Sequence, residues 1–216
     1  MKLSVILTGS TGMVGEGVLL ACLDHPDVEK ILVINRRPLG RSHPKLREII
    51  HSDFFNLAPI EPQLAGYNAC FFCLGVSSVG MKNEVYKHVT YDLTLNFAQA
   101  FARQNADAAF CYVTGAGTDE KGRMAWARVK GATENALIQL FKRVYMFRPG
   151  FMKPTTGQRN VNPYYKYIGW LYPISRALFP GGVCTIREVG LAMINAAGKG
   201  APKPILEVKD IVALSK

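Results

Sequence analysis

Three glycines near the start of the chain form the clearest chemical pattern in the sequence. Gly9, Gly12 and Gly15 recur at every third position after the apolar run Lys2–Leu7, and apolar residues at helical spacing follow from Met13. At a strand-to-helix junction, glycine permits a tight turn, lets the backbone approach a pyrophosphate and allows the helix to pack closely on the strand. The free amides of the helix start would then face the phosphates. We therefore predict a dinucleotide-binding loop formed by Gly9, Ser10, Thr11, Gly12, Met13, Val14 and Gly15.

The end of the next strand-like run, Ile31–Asn35, indicates which dinucleotide is bound. NAD-preferring sites usually place an acidic residue here to bind the ribose 2′-hydroxyl, whereas this chain has Asn35-Arg36-Arg37. A guanidinium binds a 2′-phosphate through charge-assisted hydrogen bonds. The sequence therefore favours NADP(H) over NAD(H), with a solvated basic loop as the alternative. Asp53, beside Phe54, is predicted to reach the adenine amino group, although a turn or helix-capping role fits this pair as well.

The elements that must position these residues alternate between strand and helix. The strand-like runs are Lys2–Leu7, Ile31–Asn35, Leu46–His51, Ala69–Leu74, Ala108–Thr114 and Val144–Arg148. Two long helices are predicted, Asn83–Arg103 and Arg123–Lys142. Their inward stripes are Val85, Val89, Leu93, Phe97, Ala100 and Phe101 in the first, and Trp126, Val129, Ala132, Ala136, Leu140 and Phe141 in the second. This alternation predicts an α/β fold, a doubly wound parallel sheet of the Rossmann type.

The chain changes character after Gly150, where prolines and glycines interrupt an aromatic-rich stretch. We interpret residues 151–184 as a small C-terminal cap over the active-site cleft, within a single domain of residues 1–216. Ile186–Ala197 is predicted to be a helix, Pro204–Val208 a last strand and the tail a short helix. The aromatic segment 164–172 fits a substrate lid or core helix, with a shallow membrane-interface anchor as the alternative.

The composition narrows the possible function classes. Of the 216 residues 49% are apolar and 19% charged, which is ordinary for a globular domain and excludes a disordered or fibrous chain. The four histidines show no metal-ligand spacing, so no metal site is predicted. The net charge of +10 favours an anionic partner, but without a visible recognition module nucleic acid is disfavoured. Five cysteines, including a Cys70-x-x-Cys73 pair assigned to core packing, and the lack of a secretory pattern predict a cytoplasmic protein.

A resemblance to a known family rests on four motifs, each at the end of a predicted strand. These are the glycine loop, the arginine pair, Cys73-Leu74-Gly75 and Arg148-Pro149-Gly150. Over most of its length the chain resembles the short-chain dehydrogenase/reductase superfamily. It looks closest to the atypical branch that includes the Tat-interacting tumour-suppressor oxidoreductase and nucleoside-diphosphate-sugar-epimerase-like proteins. The resemblance implies further cofactor contacts at Leu74, Gly75, Val76, Ser77, Pro149 and Gly150.

The same resemblance identifies candidate catalytic residues and one departure from the family pattern. In the superfamily, a Tyr-x-x-x-Lys pair and a Ser or Thr at the end of the fifth strand carry out the proton chemistry. Here the pair is Trp126 and Lys130, and Thr114 matches the hydroxyl residue. The resemblance implies that Lys130 binds the nicotinamide ribose and that Thr114 orients the substrate, so both also count as cofactor contacts. Trp126 would shape the pocket, because an indole N–H is no general acid at neutral pH.

Three interpretations of the missing tyrosine follow. Another group supplies the proton, with Tyr86, Tyr91, Tyr164 and Tyr165 as candidates. Alternatively the acceptor needs no protein acid, or the site only binds the coenzyme. We expect an NADP(H)-dependent oxidoreductase acting on an unidentified apolar or aromatic small molecule. The alternatives are a non-catalytic NADP(H)-binding redox sensor or scaffold and an enzyme of the nucleotide-sugar epimerase or dehydratase type, and the oligomeric state is not predicted.

Overall fold

A parallel β-sheet forms the centre of the molecule. The computed structural model describes residues 1–161 and 172–216. Its large sheet has seven strands in the order β3-β2-β1-β4-β5-β6-β9, and neighbouring strands pair in parallel. The strands are β1 Leu3–Thr8, β2 Val28–Asn35, β3 Leu46–Ile50, β4 Ala69–Phe72, β5 Ala109–Val113, β6 Val144–Arg148 and β9 Ile205–Glu207. The winding reverses between β1 and β4, and such a switch point is where ligands bind in open α/β sheets.

Helices cover both faces of this sheet, which confirms the predicted doubly wound α/β fold. Val5 and Leu7 of β1 pack into one apolar cluster, together with helices that include α1 Met13–Asp24, and Ile6 packs into the other. Because the central strands β1, β4, β5 and β6 are buried on both faces, they appear in the sequence as apolar runs. The helices after α1 are α2 Asn83–Lys87, α3 Leu93–Gln104, α4 Ala125–Leu140, α5 Tyr172–Leu178, α6 Ile186–Lys199 and α7 Val208–Leu214, with a 3₁₀ turn at Glu61–Leu64.

The first long helix predicted from the sequence is interrupted by a π-helical turn, His88–Asp92, between α2 and α3. A π turn inserts one extra residue into the helical repeat and so rotates the preceding face. Tyr86 and Thr90 are therefore buried, whereas Val85 is 49% exposed. The predicted inward stripe is wrong at Val85 and correct at Phe97, because the helical phase changes at the π turn.

The second predicted stripe is wrong at Leu140 and correct at Phe141, and α4 also buries small and polar residues outside the stripe. Its buried residues are Ala127, Gly131, Thr133, Glu134 and Leu137, whereas the predicted Leu140 is 38% exposed. A side chain at Gly131 would come within 2.3 Å of the Glu120 backbone nitrogen, so close packing demands glycine there.

A second, two-stranded parallel sheet lies beyond Gly150. It joins β7 Phe151–Lys153 to β8 Val183–Thr185. Thr185 starts α6 with a capping box, in which its side chain accepts from the Glu188 amide at 3.0 Å. Most of the aromatic segment, residues 164–171, lies outside the described residues. The cap over the cleft and the single-domain boundary remain predictions.

Candidate functional site

The glycine loop is tightly packed between β1, α1 and the end of β4. Gly9 has a φ of +74°, and a Cβ there would lie 2.6 Å from the Cys73 carbonyl oxygen. A Cβ at Gly15 would lie 2.1 Å from the Gly9 carbonyl oxygen. Gly12 caps α1 without any side-chain hydrogen bond to the helix. The first amides of α1 have no acceptor within the helix, so they can donate to an anionic ligand, and their contact with a phosphate remains a prediction.

A cavity opens beside this loop at the carboxyl ends of β1, β2 and β4. It measures about 230 Å³ and is lined by Gly9, Thr11, Gly12, Ile34, Asn35, Arg36, Phe54, Cys73, Leu74 and Gly75. An adjoining cavity of about 270 Å³ is lined by Arg36, Ser52, Asp53, Phe54, Phe55, Leu74, Gly75, Val76, Val89 and Leu93. Sequence reasoning predicted most of the polar and glycine residues in this group. At Gly9 and Gly12 the loop presents only backbone to the cavity, so the lining fits the close approach of a phosphate group.

A third depression, of about 460 Å³, shares Thr11 and Arg36 with the first cavity. Its lining comprises Thr11, Arg36, Arg37, Pro38, Leu39, Arg159 and Asn160. Arg36 and Arg37 are exposed. Sequence reasoning missed Arg159 and Asn160, because more than a hundred residues separate them from the arginine pair and no local pattern connects them.

A buried hydrogen-bond chain fixes the glycine loop against the arginine loop. The Ser10 hydroxyl donates to Asn35 Oδ1 at 2.8 Å, and Asn35 Nδ2 donates to Glu48 Oε1 at 2.8 Å. The Leu39 amide donates to the same Glu48 oxygen at 2.9 Å. Ser10 is fully buried and does not line the cavity, so its contact with the cofactor remains a prediction. The sequence indicated Asn35 as the residue in place of an acid, but not its partner Glu48.

Other predicted cofactor contacts have partners within the protein. Asp53 Oδ1 accepts from the Phe55 and Asn56 amides at 2.9 and 3.3 Å, so Asp53 makes the turn that was its alternative role. Ser77 Oγ accepts from the Val79 amide at 3.2 Å. The contacts of Asp53 with adenine and of Ser77 with the cofactor remain predictions.

Loop residues Met13 and Val14, and the strand-end pair Pro149-Gly150, are also engaged within the protein. The Met13 carbonyl accepts from Gln158 Nε2 at 2.6 Å, and Val14 packs against an apolar cluster. The Pro149 carbonyl accepts from the Ala116 amide at 3.0 Å. Their cofactor contacts remain predictions.

The three candidate catalytic residues lie where β5 passes into α4, and none of them lines the 230 Å³ cavity. Lys130 Nζ donates to the Thr114 carbonyl oxygen at 2.9 Å. Burial lowers the pKa of Lys130 to about 8, and the nearby Glu134 carboxylate opposes this effect. Trp126 is half-buried, and its ring lies 3.7 Å from the position of a Cβ at Gly117.

The Thr114 hydroxyl is bound to a buried ion pair. It donates to Glu134 Oε1 at 2.7 Å, and the same carboxylate accepts from the Arg148 guanidinium at 3.0 and 2.5 Å. Glu134 is only 1% exposed. Sequence reasoning missed this pair because a glutamate on a helix ordinarily faces solvent. Orientation of a substrate by Thr114 remains a prediction, and it would require this hydroxyl to exchange partners.

The tyrosines considered as substitute acids differ in their surroundings. Tyr86 is 3% exposed, and burial raises its pKa. Tyr91 is half-buried, with Lys87 Nζ 5.8 Å from its ring centre. Tyr164 and Tyr165 lie outside the described residues. A role for any of them as the proton donor remains a prediction.

The fold is that of short-chain dehydrogenase/reductase and sugar-nucleotide epimerase proteins. ADP-L-glycero-D-manno-heptose-6-epimerase of Helicobacter pylori has a TM-score of 0.67 at 18% identity, with 100% of this chain and 82% of that one covered. A short-chain dehydrogenase of Burkholderia cenocepacia, solved with NADP, has a TM-score of 0.66 at 18% identity, covering 98% and 92%. At such identities the likeness concerns the fold alone.

Sequence relatives define the family more closely. Protein fmp52, mitochondrial, of Emericella nidulans is 30% identical over 209 residues, which cover 91% of this chain and 88% of the relative. Protein fmp52-1, mitochondrial, of Aspergillus oryzae is 30% identical over 161 residues, covering 71% and 66%. The chain belongs to the Fmp52 family, which is of the short-chain dehydrogenase/reductase type. No protein-family model matches the sequence.

Relatives from several fungi are named as mitochondrial proteins. The predicted cytoplasmic location is therefore wrong. The prediction rested on cysteine content and on the lack of a secretory pattern, and neither feature distinguishes the cytoplasm from a mitochondrion. Within residues 1–161 and 172–216, no helix is long and apolar enough to cross a membrane, and no cluster of potential metal ligands occurs.

Proposed function

We propose that this protein binds NADP(H) in preference to NAD(H) and is an oxidoreductase acting on an apolar or aromatic small molecule. The observation that carries the proposal is the pairing of the glycine-loop cavity with two exposed arginines at the end of β2. The loop supplies backbone donors for a pyrophosphate. Arg36 and Arg37 supply positive charge where a 2′-phosphate would extend beyond the adenosine ribose.

The polar network beneath the loop supports the preference for NADP(H). Asn35 is 3% exposed, and its amide is held by Ser10 and Glu48, so the residue at the end of β2 is neutral and fixed. A ribose 2′-hydroxyl is usually recognised by a carboxylate at this position. With no such carboxylate, selectivity rests on the arginines.

A bound nicotinamide would supply the hydride for a reduction. The chain's own contribution at that end is Lys130, whose ammonium group is held by the Thr114 carbonyl and would bind the ribose hydroxyls. Trp126 stands one helical turn before Lys130 and would provide an apolar wall. An acceptor that takes up a hydride without a proton from the protein, such as a quinone, suits this arrangement best.

A non-catalytic redox sensor is the second candidate, and a specific observation favours it. The tyrosine is replaced by Trp126, and the Thr114 hydroxyl is bound to Glu134 rather than free for a substrate. An enzyme of the nucleotide-sugar epimerase type is the third candidate, supported by likeness in fold to such enzymes.

One assay distinguishes the three candidates. The purified full chain is incubated with NADPH or NADH and a panel of quinones, aldehydes and nucleotide sugars. An oxidoreductase consumes NADPH steadily with at least one acceptor. A sensor binds NADPH without turnover, and an epimerase converts a nucleotide sugar without net consumption of coenzyme. Binding of neither coenzyme would contradict the proposal.

A further inference from the structure

The segment that follows β7 crosses the start of α1 and enters the arginine depression. Gly157 has a φ of +88°, which turns the chain there. Gln158 Nε2 then donates to the Met13 carbonyl oxygen at 2.6 Å. This second-half segment is thus attached directly to the glycine loop's helix.

Glu16 provides the stronger attachment. This carboxylate, in the first turn of α1, is 2% exposed. It accepts from the Arg159 amide at 2.9 and 3.0 Å and from the Asn160 amide at 2.7 Å. Arg41 lies 3.8 Å from one of its oxygens. A buried carboxylate needs such partners, because burial without hydrogen bonds or a counter-charge is costly.

These hydrogen bonds to Glu16 determine where the Arg159 side chain lies. It lines the same 460 Å³ depression as Arg36 and Arg37, and its Nη1 donates a long hydrogen bond of 3.3 Å to the Gly40 carbonyl oxygen. Gly40 belongs to the loop that carries the arginine pair. Three arginines therefore line one depression, and such a concentration of positive charge suits a dianionic phosphate ester.

We propose that Arg159 is a coenzyme-binding residue that completes the 2′-phosphate site with Arg36 and Arg37, and that Glu16 is the residue that positions it. This inference rests on the proposed function, since it concerns the same coenzyme. It adds that selectivity for the phosphate is shared between the two halves of the chain. Coenzyme binding would thereby connect the arginine loop to the segment leading into residues 162–171.

The test measures dissociation constants of the full chain for NADPH and NADH by calorimetry. Arg159→Ala is expected to weaken NADPH binding by about 10- to 100-fold, which corresponds to the loss of one hydrogen bond to a charged group. NADH binding should change by less than about twofold, since NADH lacks the phosphate. Arg103→Ala is the matched control, because Arg103 is an exposed arginine that pairs with Glu61 at 2.8 Å, away from the depression.

Glu16→Gln tests the positioning role through its coupling to Arg159. In the wild-type background it should weaken NADPH binding more than NADH binding. In the Arg159→Ala background it should cause no further loss for NADPH, because its effect acts through the side chain already removed. An equal loss for both coenzymes in both backgrounds would overturn the positioning role and leave Glu16 merely structural.

The outcomes separate this inference from the proposed function. Tight NADPH binding by the wild type with no difference between Arg159→Ala and Arg103→Ala would overturn the inference alone. Absence of NADPH binding by the wild type would overturn both. Circular dichroism shows whether Glu16→Gln folds. If it does not, the titration of Arg159→Ala still decides whether Arg159 binds the coenzyme, because Arg159 is exposed.

Discussion

The two ends of the candidate site differ in how their side chains are engaged. At the end where the adenosine would bind, the internal hydrogen bonds of Ser10, Asn35 and Glu48 support the glycine loop, and the arginine pair beside it is exposed. At the chemical end, the hydroxyl of Thr114 is engaged with Glu134, and tryptophan replaces the expected acid. The comparison teaches that the site is built for binding a coenzyme, whereas its catalytic groups depart from those of the superfamily.

Restoring the acid tests the chemical end and is expected to give the largest effect. Trp126→Tyr places a phenol one helical turn before Lys130. The positive charge of Lys130 favours release of the phenol's proton. General acid catalysis typically contributes about 10²- to 10⁴-fold, so aldehyde reduction with NADPH should rise by at least about 100-fold. Trp126→Phe is the matched control, because it supplies a ring without a hydroxyl. If the tyrosine variant behaves like the phenylalanine variant, more than the acid is missing from this end.

Filling the glycine loop tests the adenosine end with the next largest effect. Gly15→Ala brings a methyl group against the Gly9 carbonyl, where the Cβ position is only 2.1 Å from the oxygen. We expect NADPH affinity to fall by about 100-fold or more, and the free energy of unfolding to fall by about 1–3 kcal/mol, as for other overpacked sites. Titration calorimetry and urea unfolding measure the two quantities.

The control for this variant is Gly198→Ala in α6, where an added Cβ meets nothing within 4 Å. It should bind NADPH as the wild type does and gain up to about 1 kcal/mol of stability from helix propensity. Unchanged NADPH affinity in Gly15→Ala would show that the ligand does not depend on this loop.

Removing the arginine pair sharpens the distinction between the two coenzymes. The double change Arg36→Ala and Arg37→Ala should weaken NADPH binding by about 10- to 100-fold and leave NADH within about threefold, because only NADPH carries the extra phosphate. Parallel titrations at equal ionic strength provide the measurement. A similar loss for both coenzymes would mean that the arginines act on something other than the 2′-phosphate.

Lys130 is expected to change the pH dependence of stability. Its pKa is about 8 in the folded protein and about 10.5 when exposed. A lysine whose folded pKa is lowered destabilises the fold below about pH 8, where it is charged in both states, and this cost disappears as the pH rises toward 10.5. The wild type should therefore gain stability relative to Lys130→Met as the pH rises from about 7.5 to about 10. Urea unfolding of both proteins at the two pH values checks it, and a constant difference would contradict the account.

Local patterns predicted much of the fold because strand and helix signals are local. β1, β2, β5 and β6 lie where apolar runs predicted them, since buried parallel strands are apolar throughout. The inward faces of the two long helices were harder to predict. In the first helix, the buried face shifts at a π turn. The second helix buries Glu134, whose charge is neutralised by Arg148 at the end of β6.

The site shows the same division between local and distant information. The glycine loop and the arginine pair are short motifs, so sequence reasoning found them. Glu16, Glu48 and Arg159 act through partners distant in the chain, and only the folded arrangement brings them to those partners. The departure at Trp126 was visible in the sequence, but the engagement of Thr114 with Glu134 was not.

Direct titration of the unmodified protein with NADPH and with NADH tests the central claim most directly. The account predicts that NADPH binds and that NADH binds at least about tenfold more weakly, a difference of about 1.4 kcal/mol in binding free energy. Equal affinity for the two coenzymes, or no heat of binding with either, would contradict it.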